Sequence, residues 1–329
     1  MNERGPSSGQ IPLFPAATAA VAPSPAEQRL GRERDAALVL KERLPRNVRF
    51  GTSSWSFPGW EGIVYPRRAT ASRLAREGLI EYARHPLLTT VGIDRSFYAP
   101  IPREDLRAYG SQLPEGFLCC AKAPAAVTGA ALLGTRAANP DFLNPGRFEE
   151  EMLAPFREEF ADHTGPFLLQ FPPAPRECRL TPGAFASALD EFLEALPRDL
   201  LYAVELRDAR LLTPEYRRVL VRHRAAHVYN AATGMPMPGE QAREVPVEAP
   251  FVVVRLLLRP GTGYDERRKE FVPFDRVVDA NPEMRRDTID LIRAAEGRPV
   301  YVLVNNKAEG CAPATIRALA EELAAITTS

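Results

Sequence analysis

LYAVELRDARLLTPEYRRVLVRHRAAHVYNAA, residues 201–232, contains two β-rich segments separated by a helical pattern. The outer segments, 201–207 and 226–232, are short apolar runs of strand length, and the pattern at 214–223 repeats its apolar residues at helical spacing. Two strands joined through a helix favour a parallel pair with a crossover connection. This unit predicts an α/β fold.

The same alternation extends in both directions along the chain. Further β-rich runs occur at 48–54, 90–97, 117–123, 166–172, 251–258 and 299–306. Further helical patterns occur at 69–84, 102–113, 147–161, 182–195, 282–295 and 313–325. Eight strands alternating with helices imply a parallel sheet, and eight is the number at which such a sheet closes into a (β/α)8 TIM barrel. An open doubly wound sheet is the alternative, but no GxGxxG motif follows the first strand.

Three stretches depart from this pattern. Residues 1 to about 25 are dominated by Pro, Ala, Ser and Gly with almost no apolar periodicity, which predicts a disordered arm. Residues 26–44 predict a short helix that covers the bottom of the barrel. The segment 235–250, MPMPGEQAREVPVEAP, is rich in proline and predicts no full helix. We divide the chain into residues 1–46, the arm with its lead-in helix, and residues 47–329, the barrel.

Composition excludes several classes of protein. The chain has 42 basic and 42 acidic residues, so its bulk charge gives no reason to expect a nucleic acid or a membrane as partner. No segment approaches the roughly 18 apolar residues of a membrane span, and we expect a cytoplasmic protein. The four cysteines form no CxxC pair and predict reduced, structural thiols. Only four of the basic residues are lysines, so a lysine at a special position is notable.

Polar residues gather where the predicted strands end. In a parallel barrel such residues surround the C-terminal mouth, where TIM-barrel enzymes carry their active sites. They are Ser53, Asp94, Lys122, Gln170, Glu205, Arg207, Arg255, Asn305 and Asn306. A buried network of ion pairs that plugs the barrel is the alternative explanation. One or two pairs would suffice for a plug, whereas seven strands each supply a polar group here.

Several of these segments also resemble a known family. GTSSWSFPGWEGIVYP (51–66), IDRSFYAP (93–100), LLQFPP (168–173), AVELRD (203–208) and VNNKAEGCAP (304–313) are similar to motifs of the DUF72 (YecE-like) family of uncharacterised TIM-barrel proteins. Shorter matches are AKAP (121–124) and VVRL (253–256). The resemblance spans about 49–324 and implies the barrel, but it implies no particular activity.

The resemblance also implies which residues line the mouth. It extends to the strand-end residues above and adds Trp55, Trp60 and Tyr98. Four positions depart from the family's pattern: Ser54 replaces a common glycine, Gly92 a frequent acidic residue, and Gly129 and Leu257 frequent histidines. Any catalytic role of those histidines elsewhere in the family is therefore absent here.

The candidate catalytic residues are Glu205, Lys122 and Asp94. We expect no metal site and no cofactor, because the one close histidine pair, His223 and His227, is divided between a helix end and a strand. A serine nucleophile lacks its histidine. Lys122 could form a Schiff base if burial lowers its pKa, or it could be held protonated by an ion pair with Glu205 or Asp94, which we favour slightly.

The remaining mouth residues are rich in hydrogen-bond donors that suit an anion. We assign substrate binding to Ser53, Trp55, Tyr98, Gln170, Arg207, Arg255, Asn305 and Asn306. Arginine and lysine match phosphate or carboxylate oxygens. Two functions stay open: a metal-independent hydrolase or lyase acting on an anionic, phosphate-bearing substrate with Glu205 as general base, and a non-catalytic nucleotide or nucleic-acid binding protein.

A short segment of the arm suggests a macromolecular partner. Gln10, Leu13 and Phe14, in QIPLF, resemble the QLxLF-type peptides by which bacterial replication and repair proteins dock on the sliding clamp. A disordered arm is the context in which such a peptide works. Pro12 and Ile11 are uncommon at their positions in such peptides, and a chance match is the simpler explanation.

Overall fold

Eight parallel strands form a closed barrel in the order of the sequence. The computed structural model describes Met1, residues 22–258 and residues 264–327. The strands are β1 (Val48–Thr52), β2 (Leu88–Ile93), β3 (Leu118–Lys122), β4 (Thr164–Phe171), β5 (Tyr202–Leu206), β6 (Ala226–Ala231), β7 (Val252–Leu256) and β8 (Val300–Val304). The predicted TIM barrel is confirmed, because β8 pairs back onto β1 throughout its length. Gln10, Leu13 and Phe14, with most of the predicted disordered arm, lie outside the described residues.

Helices surround the barrel. They are α1 (Pro25–Glu42), α2 (Ala71–Glu77), α3 (Leu79–Ala83), α4 (Arg103–Gly110), α5 (Ala125–Thr128), α6 (Pro145–Phe148), α7 (Ala154–Glu159), α8 (Pro182–Ala195), α9 (Pro214–His223), α10 (Pro238–Glu244), α11 (Tyr264–Phe271), α12 (Pro282–Ala294) and α13 (Ala312–Thr327). Most begin with a proline in the first turn or with a Ser, Thr or Asn cap, both of which favour helix starts. No helix among the described residues is long and apolar enough to cross a membrane.

Two predictions about the helices are wrong. Helix α10 forms inside the proline-rich segment after β6, because Pro238 occupies the first helical position, where proline lacks only an unneeded N–H. Helix α1 does not cover the bottom of the barrel. It lies in the outer ring beside α13, where Glu33 pairs with Arg317 at 2.6 Å, and it also pairs with α3 through Arg34 and Glu81.

The strands are apolar both on the face toward the helices and on the face toward the barrel interior. The core therefore consists of two clusters. The large cluster fills the space between strands and helices. The small cluster fills the barrel interior and contains Cys120, Leu168, Ala203, Ala226, Val228, Phe251, Val253, Tyr301 and Leu303. Because side chains alternate along a strand, the residue two positions beyond each of these interior residues also points inward, nearer the mouth. The apolar interior therefore supports a layer of inward-facing residues at the C-terminal ends.

Candidate functional site

That last inward-facing layer is polar all the way round. One residue comes from within or directly after each strand: Ser53, Asp94, Lys122, Gln170, Glu205, Asn230, Arg255 and Asn305. The strand pairing aligns Gln170 with Glu205 and Asn230 with Arg255. All but Asp94 and Asn305 are classed as buried. The structure thus brings together the strand-end residues that the sequence predicted to converge.

Arg255 is the centre of an ion-pair network inside the mouth. Its Nη1 donates to Glu205 Oε2 at 2.5 Å, and its Nη2 donates to both carboxylate oxygens of Asp94 at 3.0 and 2.8 Å. Arg207 Nε donates to Glu205 Oε1 at 2.7 Å, while its Nη2 lies 3.5 Å from Gln170 Oε1. The network links β2, β4, β5 and β7 across the barrel.

Glu205 is held as a charged carboxylate by this network. Burial alone would raise its pKa, but Arg255 and Arg207 outweigh burial and lower the pKa to about 2. Both oxygens already accept hydrogen bonds from guanidinium groups, and the side chain is fully buried. A carboxylate in this state is a poor proton acceptor near neutral pH. The geometry is therefore at odds with the predicted general base, and Glu205 positions the two arginines.

Lys122 is not part of the ion-pair network. Its side chain is only 7% exposed, yet no carboxylate among the described residues lies within 4.0 Å of Nζ. The ammonium instead lies 3.7 Å from the centroid of the Phe97 ring. Burial lowers the pKa of Lys122 to about 8, and the charge of Asp94 opposes that shift only in part. The ion pair that the sequence slightly favoured is absent.

Arg207 is the more accessible of the two arginines. Its side chain is 21% exposed, whereas that of Arg255 is 1% exposed. Both terminal nitrogens of Arg255 are occupied by carboxylates, so Arg255 has little capacity to bind an anion. The predicted anion-binding set of three cations therefore reduces to Lys122 and Arg207.

Asn230 belongs to the mouth and was missed in the sequence. Its Nδ2 donates to the Leu206 carbonyl at 2.9 Å, while its buried Oδ1 has no partner among the described residues. The signal was present, since Asn230 follows Val228 by two positions and so lies on the interior face. Ser53 Oγ and Arg255 Nε are also buried without a partner there. Buried polar atoms without protein partners are candidates for contact with water or a ligand.

A cleft of about 460 Å³ opens between the loops that follow β1 and β8. Its polar wall is formed by Thr52, Ser53, Ser54, Ser56, Asn305, Asn306 and Lys307. Its other wall contains aromatic rings: Phe57, Trp60 and Phe274. Ser53 thus belongs both to the inward-facing layer and to the cleft.

Trp55, Trp60 and Asn306 make hydrogen bonds that hold the first loop in place. Trp55 is 4% exposed and donates through Nε1 to the Leu74 carbonyl at 3.0 Å, so its ring is not available to a ligand as predicted. Trp60 Nε1 donates to Asn306 Oδ1 at 3.1 Å, and the same oxygen accepts from the Ala312 amide at 2.8 Å. Asn306 therefore joins the first loop to the start of α13, and it also lines the cleft, so its assignment to substrate binding stays a prediction.

Tyr98 lies at the rim of the mouth. Its side chain is 72% exposed, and its ring packs edge-on against Phe97, 5.3 Å between centroids. Phe97 in turn supports Lys122. Tyr98 remains accessible to a ligand that enters above Lys122.

The histidines do not form a metal site. His223 ends α9 and pairs with Asp190 at 2.7 Å, whereas His227 lies in β6 between Tyr216 and Gln241. Burial lowers the pKa of His227 to about 4, so it is neutral at physiological pH. Within residues 22–258 and 264–327 no group of three or more His, Cys, Asp or Glu residues could hold a metal ion.

Gly92 departs from the family pattern, and steric crowding explains why this position has no side chain here. A Cβ at this position would lie 3.0 to 3.2 Å from the backbone of Ser53. The missing side chain therefore lets the end of β1 approach β2 closely. This approach places Ser53 against Gly92, two residues before Asp94.

Comparison with protein-family models identifies the family. The model described as "Protein of unknown function DUF72" matches residues 49–328. The chain belongs to the DUF72 family. Membership covers the whole barrel and agrees with the motifs found in the sequence. A search of curated proteins found no match.

Solved DUF72 structures share the fold. A DUF72 family protein from Enterococcus faecalis V583 superposes with a TM-score of 0.57 at 20% identity, covering 86% of this chain and 96% of that chain. A DUF72 family protein from Thermotoga maritima MSB8 gives a TM-score of 0.56 at 15% identity, covering 86% and 99%. At these identities the likeness extends to the fold alone, and function must be argued from the site.

Proposed function

We propose that this protein is an enzyme, a lyase or hydrolase, that uses the amine of Lys122 without a metal ion on a small anionic carbonyl compound. The observation that carries the proposal is the isolation of Lys122. In a mouth where Arg255 and Arg207 are paired with carboxylates, Lys122 is buried with no carboxylate within 4.0 Å among the described residues. A buried lysine with a lowered pKa is a typical nucleophile for carbonyl groups.

The lowered pKa makes the amine available. At pH 7.5 about a quarter of a lysine population with a pKa of 8 is neutral, compared with about 0.1% at the ordinary value of 10.5. The neutral Nζ attacks the carbonyl carbon and forms a C–N bond. The carbonyl oxygen takes up one proton from the amine and one from solvent and leaves as water, and a protonated imine remains. That cation withdraws electrons from the adjacent carbon, which promotes cleavage of a bond there.

The neighbouring groups have supporting roles. Asp94 is 29% exposed and is the carboxylate with the strongest influence on Lys122, and both of its oxygens are held by Arg255. Its negative charge therefore stabilises the protonated imine, while solvent exchanges protons with the reacting atoms. Arg207 presents a partly exposed guanidinium to the phosphate or carboxylate of the substrate. Arg255 and Glu205 fix the positions of Asp94 and Arg207.

Reductive labelling with pyridoxal 5′-phosphate, an anionic aldehyde, tests the proposal. The full chain is treated with the aldehyde and sodium borohydride at pH 7.5, and the labelled lysines are identified by peptide mass spectrometry. Lys122 should react at least about ten-fold faster than the exposed Lys41 and Lys269, since more of its amine is neutral. The rate should rise with pH to a midpoint near 8, and inorganic phosphate should slow it.

Two controls make the result decisive. Lys122→Arg keeps the charge and should lose only the fast label, and uncharged pyridoxal should label more slowly than its phosphate ester. Labelling of Lys122 no faster than of Lys41 would overturn the proposed chemistry. Protection by phosphate without fast labelling would favour a non-catalytic binding protein for nucleotides or nucleic acid.

A further inference from the structure

The cleft between the β1 and β8 loops is lined by no residue of the ion-pair network, so its ligand must be argued from its own lining. We propose that it binds the uncharged, hydroxylated carbon chain of a sugar-like ligand. The ligand's anionic group and carbonyl would then lie toward Arg207 and Lys122, and this part rests on the proposed function.

The first argument is the buried hydroxyl of Ser53. Ser53 is 5% exposed and lines the cleft, and its Oγ has no partner among the described residues. Leaving a buried hydroxyl without a hydrogen bond is unfavourable, because nothing compensates the loss of its hydration. A ligand hydroxyl can supply the missing bond. The residue is held in place by the close approach of β1 to Gly92.

The second argument is the chemistry of the polar wall. Serine hydroxyls and the asparagine amide both donate and accept hydrogen bonds, as sugar hydroxyls do. Asn305 Oδ1 accepts from the Lys307 amide at 3.0 Å, and this bond leaves its Nδ2 as a donor for the ligand. The hydroxyl groups of Ser54 and Ser56 form a hydrogen bond with each other, with 3.2 Å between the oxygens. Lys307 also lines this cleft, but no guanidinium does so in the described residues, although guanidinium is the group that best matches phosphate.

The third argument is size and the aromatic wall. A cleft of about 460 Å³ is within the range of pockets that hold whole small molecules, roughly 300–1,000 Å³, and is far larger than a single phosphate requires. Phe57 and Phe274 pack edge-on at 5.4 Å between centroids and present apolar surface to the cleft. The C–H faces of a sugar pack well on such a surface. A bare anion would gain nothing from it.

The test compares matched pairs of ligands on the full chain by isothermal titration calorimetry. Phosphate esters of four- to six-carbon sugars are compared with butyl, pentyl and hexyl phosphate, which have the same charge and length without the hydroxyls. At least one sugar phosphate should bind about ten-fold tighter than its alkyl partner, since each well-placed hydrogen bond contributes about 0.5–1.5 kcal/mol. Free ribose and glucose, measured by saturation-transfer NMR, test the cleft without an anion.

Ser53→Ala should remove most of the preference for hydroxylated ligands without destabilising the protein, because Oγ has no partner to lose among the residues that the structure describes. Thr315→Val is the matched control: its hydroxyl is also buried without a partner in the described part of the chain, but it lies in α13 and does not line the cleft. This control should leave binding unchanged.

The outcomes separate this proposal from the proposed function. If alkyl phosphates bind as tightly as every sugar phosphate, or if the preference survives Ser53→Ala, the cleft assignment is wrong even when Lys122 labels rapidly. If Lys122 fails to label while free sugars give saturation transfer that Ser53→Ala abolishes, the proposed function is wrong and the cleft assignment stands. Failure of both labelling and sugar binding overturns both.

Discussion

Lys122 is a charged residue in a buried position, which is why its position is informative. Its ammonium is buried with no carboxylate partner in the described part of the chain, and the Phe97 ring compensates only part of the hydration that burial removes. A methionine would fill the same space without a charge to desolvate. Groups with strongly shifted pKa values are common at functional sites for this reason.

Lys122→Met should therefore stabilise the protein at neutral pH. The folded pKa of about 8 lies below the ordinary value of 10.5, so the folded state binds fewer protons than the unfolded state between these values. The penalty is complete below pH 8 and fades as the pH rises toward 10.5. We expect the variant to gain about 1–3 kcal/mol at pH 7 and progressively less above pH 8.

Urea unfolding at pH 7, 8.5 and 10 measures this difference. Lys41→Met on the exposed surface of α1 is the control and should change the free energy of unfolding little at any of these values. A destabilised Lys122→Met at pH 7 would mean that the ammonium has a partner that compensates its burial.

Individual site residues were predictable to different degrees. That Lys122, Gln170, Glu205 and Arg255 face the mouth follows from the two-residue period of their strands. The ion pairs among the mouth residues do not follow from this period. Asp94 and Arg255, for example, are 161 residues apart and meet only because the barrel closes. Sequence reasoning therefore located Glu205 at the mouth but did not predict that two arginines hold its carboxylate.

At the scale of elements, Glu205 holds strands together. Its carboxylate joins β5 to β7 through Arg255, and Arg255 continues the link to Asp94 after β2. Removing one partner of a buried ion pair costs about 3–5 kcal/mol, because the other charge stays buried. Glu205→Gln should thus destabilise the protein at neutral pH by about this amount.

The pH dependence of that loss identifies its source. The folded pKa of Glu205, about 2, is below the ordinary 4.5, so its contribution is complete above pH 4.5 and is lost as the pH falls toward 2. The gap between wild type and Glu205→Gln should therefore narrow in that window, as measured by urea titrations at pH 7, 4.5 and 3. A constant gap would point to altered packing instead. Asp162→Asn, on an exposed residue, is the control.

Gly51 tests the packing of β1 on β2. A Cβ at Gly51 would lie 2.0 Å from the Thr90 carbonyl oxygen, so either strand must move to accommodate a side chain. Gly51→Ala should lower the free energy of unfolding by about 3 kcal/mol, near the upper end for overpacking. Gly31→Ala is the matched control in α1, where nothing lies within 4 Å, and should stabilise by about 0.5–1 kcal/mol. Similar effects of both changes in chemical denaturation would contradict the close approach.

Elements were easier to predict than their boundaries. The helix expected at 69–84 divides into α2 and α3 because Gly78 ends the first helix, its amide bonding the Leu74 carbonyl. Helix α10 was missed because a proline reads as a helix breaker in a sequence, although Pro238 begins the helix. In each case the boundary depends on the position of Gly78 or Pro238 within the helical turn, and composition alone does not reveal that position.

For the whole molecule, counting alternating segments predicted closure correctly, since eight parallel strands suit a closed barrel. The position of α1 was not predictable in the same way. Its first turns have few apolar residues, and Leu30 and Ala37 are the ones it buries. Contacts with α13 and α3, which are distant in sequence, place it in the outer ring.

Two truncations test the division of the chain at the scale of the molecule. Deletion of residues 1–46 removes α1 and with it Leu30, Ala37 and the Glu33–Arg317 pair, so α13 loses part of its cover. Burial of one large apolar side chain contributes about 1.5–3 kcal/mol, and the melting temperature should fall by roughly 5 °C or more. Deletion of residues 1–21 removes none of the contacts described here and should leave the melting temperature unchanged.

The shorter deletion also tests the predicted partner of the arm. If Gln10, Leu13 and Phe14 form a docking peptide, the full chain should bind a purified bacterial sliding clamp, because apolar Leu and Phe can enter a pocket while Gln bonds at its edge. Deletion of residues 1–21 should abolish binding, and a Gln10→Ala, Leu13→Ala, Phe14→Ala chain should do the same with the barrel intact. Surface plasmon resonance on immobilised clamp measures all three proteins. Equal binding by the full chain and the triple variant, or none by the full chain, would exclude the docking role. Because the deletion leaves Lys122 and Ser53 untouched, reductive labelling and ligand binding should be the same in the shortened protein, so that a lost clamp interaction cannot be attributed to a damaged barrel.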